Sequence, residues 1–322
     1  MSPSAARAVV RRTMATNNTA NAELNGRLLA TYEAGSAFAL DDASYRGDRA
    51  ARFRPPNSPF TVDISAVAVA RRASWPARFL AVGTQRSLLP KAPAGPSCDA
   101  LLYFERQSAG GRWRLFLEPT VNASASPRPA TGAGGFAAPV STAARAASRS
   151  LPGKLVKAFY AEETSGRLGP FSKSDFTGSC WQLPNPRLDL IGAEASGFSQ
   201  RDLFSVLRPA DTSAVALRGG STLVMFTLRF EDQLIASSSS RAIPWAHASL
   251  KKNPGAAWTY FLPTGTYSQV NESGELEVAV LLGANAKSWR VIGAYTGVTS
   301  VRGQKAKHSS TSGGGTLASF VP

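Results

Sequence analysis

The chain predicts an α+β fold of two tandem modules, each a helix packed on a four-stranded, mainly antiparallel sheet. Three observations carry this expectation. A helix-period stretch followed by alternating strands occurs twice within the 322 residues. A short phrase also repeats: Gly111-Arg112-Trp113-Arg114-Leu115-Phe116-Leu117 returns as Lys287-Ser288-Trp289-Arg290-Val291-Ile292-Gly293, each time after an alternating strand and a tight turn. Between the halves lies a Pro- and Gly-rich segment depleted in large apolar side chains, and the length suits two domains with a core each. The expected boundaries are a first module over 1–121, a linker over 122–138, a second module over 139–302 and a flexible tail over 303–322.

The first element is an amphipathic helix from Ser4 to Ala34. Ala6, Val10, Met14, Leu24, Leu28 and Tyr32 recur at helical spacing, and Gly35 reads as the stop signal. Its middle is unusual, because Asn17, Asn18, Asn21 and Asn25 interrupt or flank the apolar stripe. Asn is a poor residue inside a helix, since its amide competes for backbone hydrogen bonds. These amides either pin neighbouring backbone or line a polar pocket. Asp41 or Asp42 then caps a short helix past Tyr45, ended by Pro55-Pro56. Strands follow at Phe60 to Val69, Arg78 to Gln85, Leu101 to Glu105 and Arg112 to Glu118, with Ser108-Ala109-Gly110-Gly111 as a hairpin turn.

In the second half a helix runs from Ser141 to about Glu163, with Pro152-Gly153 as a kink or break. Gly169-Pro170-Phe171 and Asp175-Phe176-Thr177-Gly178 read as a loop. Strands return at Ala214 to Leu217, Thr222 to Glu231, Thr266 to Val270, Glu275 to Leu282 and Ser288 to Thr296, the last extendable to Arg302. Leu276, Val278 and Val280 alternate with Glu275, Glu277 and Ala279, the pattern of a half-buried strand.

The formal charge is +15, and it is spread evenly: an excess of 7 basic residues over 1–125 and of 8 over 126–322. That describes a solvated basic surface or one that meets polyanions. Nucleic acid is disfavoured, because there is no zinc-finger spacing, RNP-like strand or basic helix with clustered Lys. No apolar run approaches the roughly 18 to 20 residues of a membrane span, and no signal-peptide core follows Met1. Read as written, the chain is expected to be soluble and cytoplasmic. Cys98 and Cys180 are either a disulfide, worth about 4 kcal/mol by loop-closure arithmetic, or two free thiols, and spacing does not decide between them.

Chemistry is harder to find. A nucleophilic triad needs a base, and only His247 and His308 exist, neither near a Gly-x-Ser-x-Gly elbow. Two isolated cysteines and two isolated histidines do not make a zinc site, so no metal ligands and no cofactor are expected. Gly132 to Gly135 lacks the Lys-Ser/Thr of a phosphate loop. The adjacent acids Asp41/Asp42, Glu162/Glu163 and Glu231/Asp232 read as caps or solvated surface, and Trp113 and Trp289 as core packing. No catalytic residues are expected.

Two segments carry a resemblance. The stretch Asn17-Asn18-Thr19-Ala20-Asn21-Ala22-Glu23-Leu24, with Leu28 to Glu33 and Leu40-Asp41 to Tyr45-Arg46, and the loop Gly169-Pro170-Phe171 to Gly178, resemble an uncharacterised actinobacterial family of exported, membrane-anchored or lipoprotein-type proteins. The resemblance implies an extracytoplasmic domain behind a membrane segment that this chain lacks, and no activity. By element order each expected module is also similar to cystatin-like and NTF2-like folds. The leading expectation is a non-enzymatic binding or scaffolding module of the cell envelope, its partner an envelope protein or an anionic surface. The alternatives are a small-molecule-binding or catalytic protein with a helix-sheet pocket lined by Asn17, Asn21, Tyr32 and Tyr45, and a basic nucleic-acid or anionic-surface binder.

Overall fold

A computed structural model describes residues 1–56, 58–71, 75–89, 97–166, 169–176, 180–185, 191, 193, 198–207, 212–236, 242–250 and 254–306. The expected tail beyond 306, with His308, lies outside the described residues, as do Thr177 and Gly178 of the central loop.

The N-terminal helical stretch is three helices. Helix α1 (Pro3–Glu23) starts at Ser2, whose Oγ accepts from Ala5 N, and ends at Leu24 in a left-handed turn. Asn25 then caps a single turn, α2 (Gly26–Leu29), by accepting from Leu28 N at 3.0 Å. Helix α3 spans Gly35–Ala50. The expected single helix to Ala34 therefore breaks at Asn25, and Gly35 begins a helix instead of ending one. Its φ of +63° and the Phe116 ring, 2.8 Å from where a Cβ would sit, explain the glycine. Asp41 and Asp42 lie inside α3. Helix α4 (Thr142–Ser165) starts at Ser141, whose Oγ accepts from Ala144 N, and it runs on through Pro152.

Strands β1 (Phe60–Val69), β2 (Ala77–Ser87), β3 (Cys98–Arg106), β4 (Arg114–Leu117) and β5 (Thr120–Asn122) precede α4. After it come β6 (Phe198–Leu207), β7 (Ser213–Ala216), β8 (Thr222–Ala236), β9 (Ile243–Trp245), β10 (Gly265–Leu282) and β11 (Trp289–Lys305). Every pairing among these strands is antiparallel. The order is β1-β2-β3-β5-β11-β10-β8-β6, with β4 beside β3, β7 beside β8 and β9 beside β10.

This corrects the expected fold. The described residues form one large, sheet-dominated layer of eleven strands, in place of two separate helix-on-four-strand modules, and the cystatin- and NTF2-like analogy falls with that expectation. The physical reason is β5, a three-residue strand at the end of the expected first module. It pairs with β3 on one side and with Gly293 and Ala294 of β11 on the other, so each half covers the backbone edge the other would leave open. The two Trp-Arg phrases are not equivalent either. Trp113 precedes the short β4 and meets Phe79 edge-on, whereas Trp289 opens the 17-residue β11 and packs on the α4 core.

Side-chain alternation shows how the sheet bends. Leu80 and Val82 of β2 and Leu101 and Tyr103 of β3 share one core with Leu223 and Met225 of β8, Ala279 of β10 and Ile292 of β11. The inner faces of the two halves therefore pack on each other. On the outer face of the first half, Phe79, Ala81, Leu102 and Phe104 pack against Ala6, Val10 and Met14 of α1. On the outer face of the second, Phe226, Leu228, Leu276, Val278 and Val280 pack against Leu151, Leu155 and Phe159 of α4. Asn18 of α1 holds the edge strand β1, its amide donating to Phe60 O at 2.8 Å and accepting from Phe60 N at 3.1 Å. The segment 122–138 carries backbone bonds to both halves, from Ala137 N to Val69 O and from Ala130 N to Ala216 O. No helix among the described residues is long and apolar enough to cross a membrane.

Candidate functional site

The inner face of β10 turns from apolar to acidic at Glu277. This residue sits between Thr227 of β8 and Tyr295 of β11 in register and is fully buried, so the expectation of a solvated face for it is corrected. Helix α3 covers it. Ser36, in the first turn of α3, donates to Glu277 Oε1 at 2.6 Å and lies 2.9 Å from Thr227 Oγ1. Glu118 N donates to Glu277 Oε2 at 2.6 Å. Ala34 offers no side-chain cap, so the positive end of the α3 dipole faces this carboxyl.

Three more acids gather around it from other elements. The backbone at Glu33 is pinned to β4, with Ala34 N donating to Leu115 O at 2.9 Å and Leu115 N donating to Tyr32 O at 2.8 Å. That clamp carries the Glu33 side chain inward. It is 2% exposed, and neither carboxyl oxygen has a hydrogen-bond partner. Asp41 of α3, Glu118 before β5 and Tyr295 of β11 are half-buried and bring the cluster to the surface. Tyr295 donates to Asp41 Oδ1 at 3.3 Å. Among the described residues no ion pair reaches Glu33, Asp41, Glu118 or Glu277; the pairs formed are Arg46 with Asp42, Arg78 with Glu105, Arg86 with Asp63 and Arg229 with Glu231.

Proton affinities follow from this arrangement. Burial, then the charges of Asp41, Glu118 and Glu277, hold Glu33 well above the usual carboxylate range. Burial raises Asp41 to about 6 against the Tyr295 hydrogen bond, and raises Glu277 to about 8 against the bonds from Ser36 and Glu118 N. Glu118 is pushed well up by burial and by Asp41 and Glu277. The Asp41 charge, then burial, raises Tyr295. Burial is the chief cause for the four acids, neighbouring charges add to it at Glu33, Glu118 and Glu277, and among the described residues no cation pairs with them.

The pocket candidates Asn17, Asn21, Tyr32 and Tyr45 come together one layer away. Tyr32 donates to Asn17 Oδ1 at 2.9 Å and Tyr45 to Asn21 Oδ1, among Ala20, Leu29 and Phe38. They tie α1 to α2 and α3, and the charges of Glu33 and Asp41 reach both hydroxyls, whose pKa values burial chiefly raises. Cys98 and Cys180 form a disulfide across 82 residues. His247 stacks on Tyr260 and bonds the Leu262 carbonyl at 3.0 Å. Of the adjacent acids, Glu162 is buried and Asp41 belongs to the acidic centre, so neither is solvated surface.

Glu33, Glu118 and Glu277 escaped the sequence reading. They are isolated acids in strand or turn patterns, and only the sheet order makes them neighbours. Glu33 ends the Leu28 to Glu33 motif, and that placement is the one signal that pointed here.

Comparison with curated proteins finds no match. Residues 1–303 match the model of a domain of unknown function, DUF8094. A match over nearly the whole length fixes the relationship: the chain belongs to the DUF8094 family.

Proposed function

We propose that this chain is a non-enzymatic, extracytoplasmic binding protein of the cell envelope, and that it binds at the acidic centre beneath α3. The observation that carries the reading is Glu33, a buried carboxyl whose two oxygens have no partner. Buried polar groups are nearly always satisfied, by protein, water or ligand, and an orphan inside a cluster of like groups is a place prepared for something else. Binding is favoured over catalysis because Glu277 is held by two donors of the fold, Ser36 and Glu118 N, and the Ser36 hydroxyl beside it is itself buried away from any reactant in solution. The Cys98–Cys180 disulfide supports an oxidising compartment.

The test is a thermal-shift screen of the disulfide-bonded chain with cationic, neutral and anionic small molecules, run in parallel on Glu33→Gln. At least one class should raise the Tm of the parent and leave the variant unmoved. If every class behaves alike on both proteins, the reading falls. Fractionation with thiol alkylation tests the compartment: the chain belongs in the envelope fraction with both cysteines blocked, and alkylatable cysteines in the cytosolic fraction would refute that part.

A second reading rests on α4, whose exposed surface carries Arg145, Arg149, Lys154 and Lys157. Such a face suits an anionic surface. It predicts cosedimentation with phosphatidylglycerol vesicles that fades between 50 and 300 mM salt on the roughly 10 Å screening scale; salt-independent or absent cosedimentation removes it.

A further inference from the structure

Resting on the binding reading above, we propose that the acidic centre takes a small organic cation, its guanidinium or ammonium group seated against Glu33. Glu33 is 2% exposed, and its carboxyl has acceptor oxygens with no donor aimed at them. The groups whose charges couple to it are acids and tyrosines: Asp41 on α3, Glu118 before β5, Glu277 on β10, Tyr295 on β11, and Tyr32 and Tyr45 from the adjoining layer. Among the described residues no ion pair brings positive charge to Glu33, Asp41, Glu118 or Glu277. The chain holds 36 Lys and Arg against 21 Asp and Glu, so cations are abundant, and none is spent here. The complement to such a shell is a group rich in N–H donors that brings its own charge.

Two details narrow the class. Among the described residues no three His, Cys, Asp or Glu side chains converge so as to hold a metal ion. The acids instead surround a region from four elements, which suits an extended cation with several donors better than a point charge. The half-buried Tyr295, whose hydroxyl donates to Asp41, adds an aromatic ring to this group of acids.

The arrangement also links binding to protons. Asp41 titrates near 6 and Glu277 near 8, so the centre is largely neutral in acid and gathers charge as the pH rises. A cation therefore binds more tightly at pH 8 than at pH 5.5, with release of protons. The outer members of the shell, Asp41, Glu118 and Tyr295, are half-buried and keep some contact with solvent.

The experiment is isothermal titration of the full, disulfide-bonded chain with agmatine, putrescine and arginine, at pH 5.5 and 8.0, with sodium chloride of equal ionic strength and calcium chloride as controls. Agmatine or putrescine should bind, at least tenfold more weakly to Glu33→Gln and at least tenfold more weakly at pH 5.5. Proton release, read from the buffer dependence of the heat, should appear in the parent and shrink in Asp41→Asn, a change that a purely structural role for these acids would not produce. Near-UV circular dichroism checks that both variants keep the fold. If no organic cation binds beyond the sodium chloride control, or if Glu33→Gln binds equally well, the proposal is wrong. Glu33-dependent binding confined to neutral or anionic compounds would overturn the cation and leave the binding reading standing. No Glu33-dependent binding in any class would remove both.

Discussion

The two faces of β10 place opposite chemistry on alternate residues of one strand. Leu276, Val278, Val280 and Leu282 point at α4 and join a dry core in which the Phe159 and Phe204 rings stack at 4.3 Å. Glu277, between them in sequence, points the other way and meets the Ser36 hydroxyl of α3 and the backbone N–H of Glu118 before β5. The α4 face is closed over fully buried apolar side chains, whereas the α3 face includes the half-buried Asp41, Glu118 and Tyr295. The α4 face is held by area and close packing, which tolerate modest change of shape. The α3 face is held by a few directional bonds around a carboxyl whose burial works against stability. One helix is fixed by the hydrophobic effect, and the other is positioned at a cost.

The comparison breaks first at the dry face. Phe159→Ala should lower unfolding free energy by about 4 kcal/mol, measured by urea titration, because truncation of a fully buried ring leaves a cavity in a closely packed layer. Glu277→Ala should cost somewhat less, about 3 kcal/mol, as Glu118 N and Ser36 lose their acceptor. A smaller loss at Phe159 than at Glu277 would reverse the assignment of which face holds the fold.

Acidity sharpens it further. The carboxyls of Asp41 and Glu277 are raised in the folded chain to about 6 and about 8, so the folded state binds more protons than the unfolded one between ordinary carboxylate values and those. Their contribution is therefore fully present below about pH 4 and is lost as the pH rises through 6 and then 8. The ligand-free protein should lose stability from pH 5 to pH 9. Phe159→Ala should keep that slope, and Glu277→Gln should flatten its upper part. Parallel slopes in all three proteins would show that the α3 face does not titrate. The smallest effect belongs to Glu33→Gln, which removes an ionisable group without disturbing a hydrogen bond and should raise stability at pH 8 by about 1 kcal/mol.

Much of the dry face was legible in the sequence. The alternation through β10, the density of apolar residues in β8 and the helical period before Glu163 each mark a buried stripe. The same alternation misled for Glu277, because periodicity separates two faces and does not say which of them meets water. Its burial depends on β5, three residues straddling the expected end of the first module and start of the linker, whose bonds to β11 bring the halves together. Asn17, Asn21, Tyr32 and Tyr45 were legible as a group because the first two share one helix face and the tyrosines follow closely. Glu33, Glu118 and Glu277 were not, since their proximity is set by strand order across the whole sheet. Gly35 misled for a local reason: a glycine after a helical stripe usually ends a helix, and here the approach of Phe116 required one at a helix start.

The bond from Ser36 to Glu277 spans 241 residues. During synthesis, α3 and Glu33 emerge early, long before β10 exists to lie beneath them. Until β10 is made, the segment that will form the acidic centre has no floor, and the edge of β5 waits longer still for Gly293 and Ala294. Contacts of such long range are slow to form and leave partly built sheets exposed. The centre is therefore among the last parts of the molecule to come into being. Its geometry exists only once β10 and β11 have joined the sheet, so the centre is a feature of the assembled sheet and of no shorter part of it.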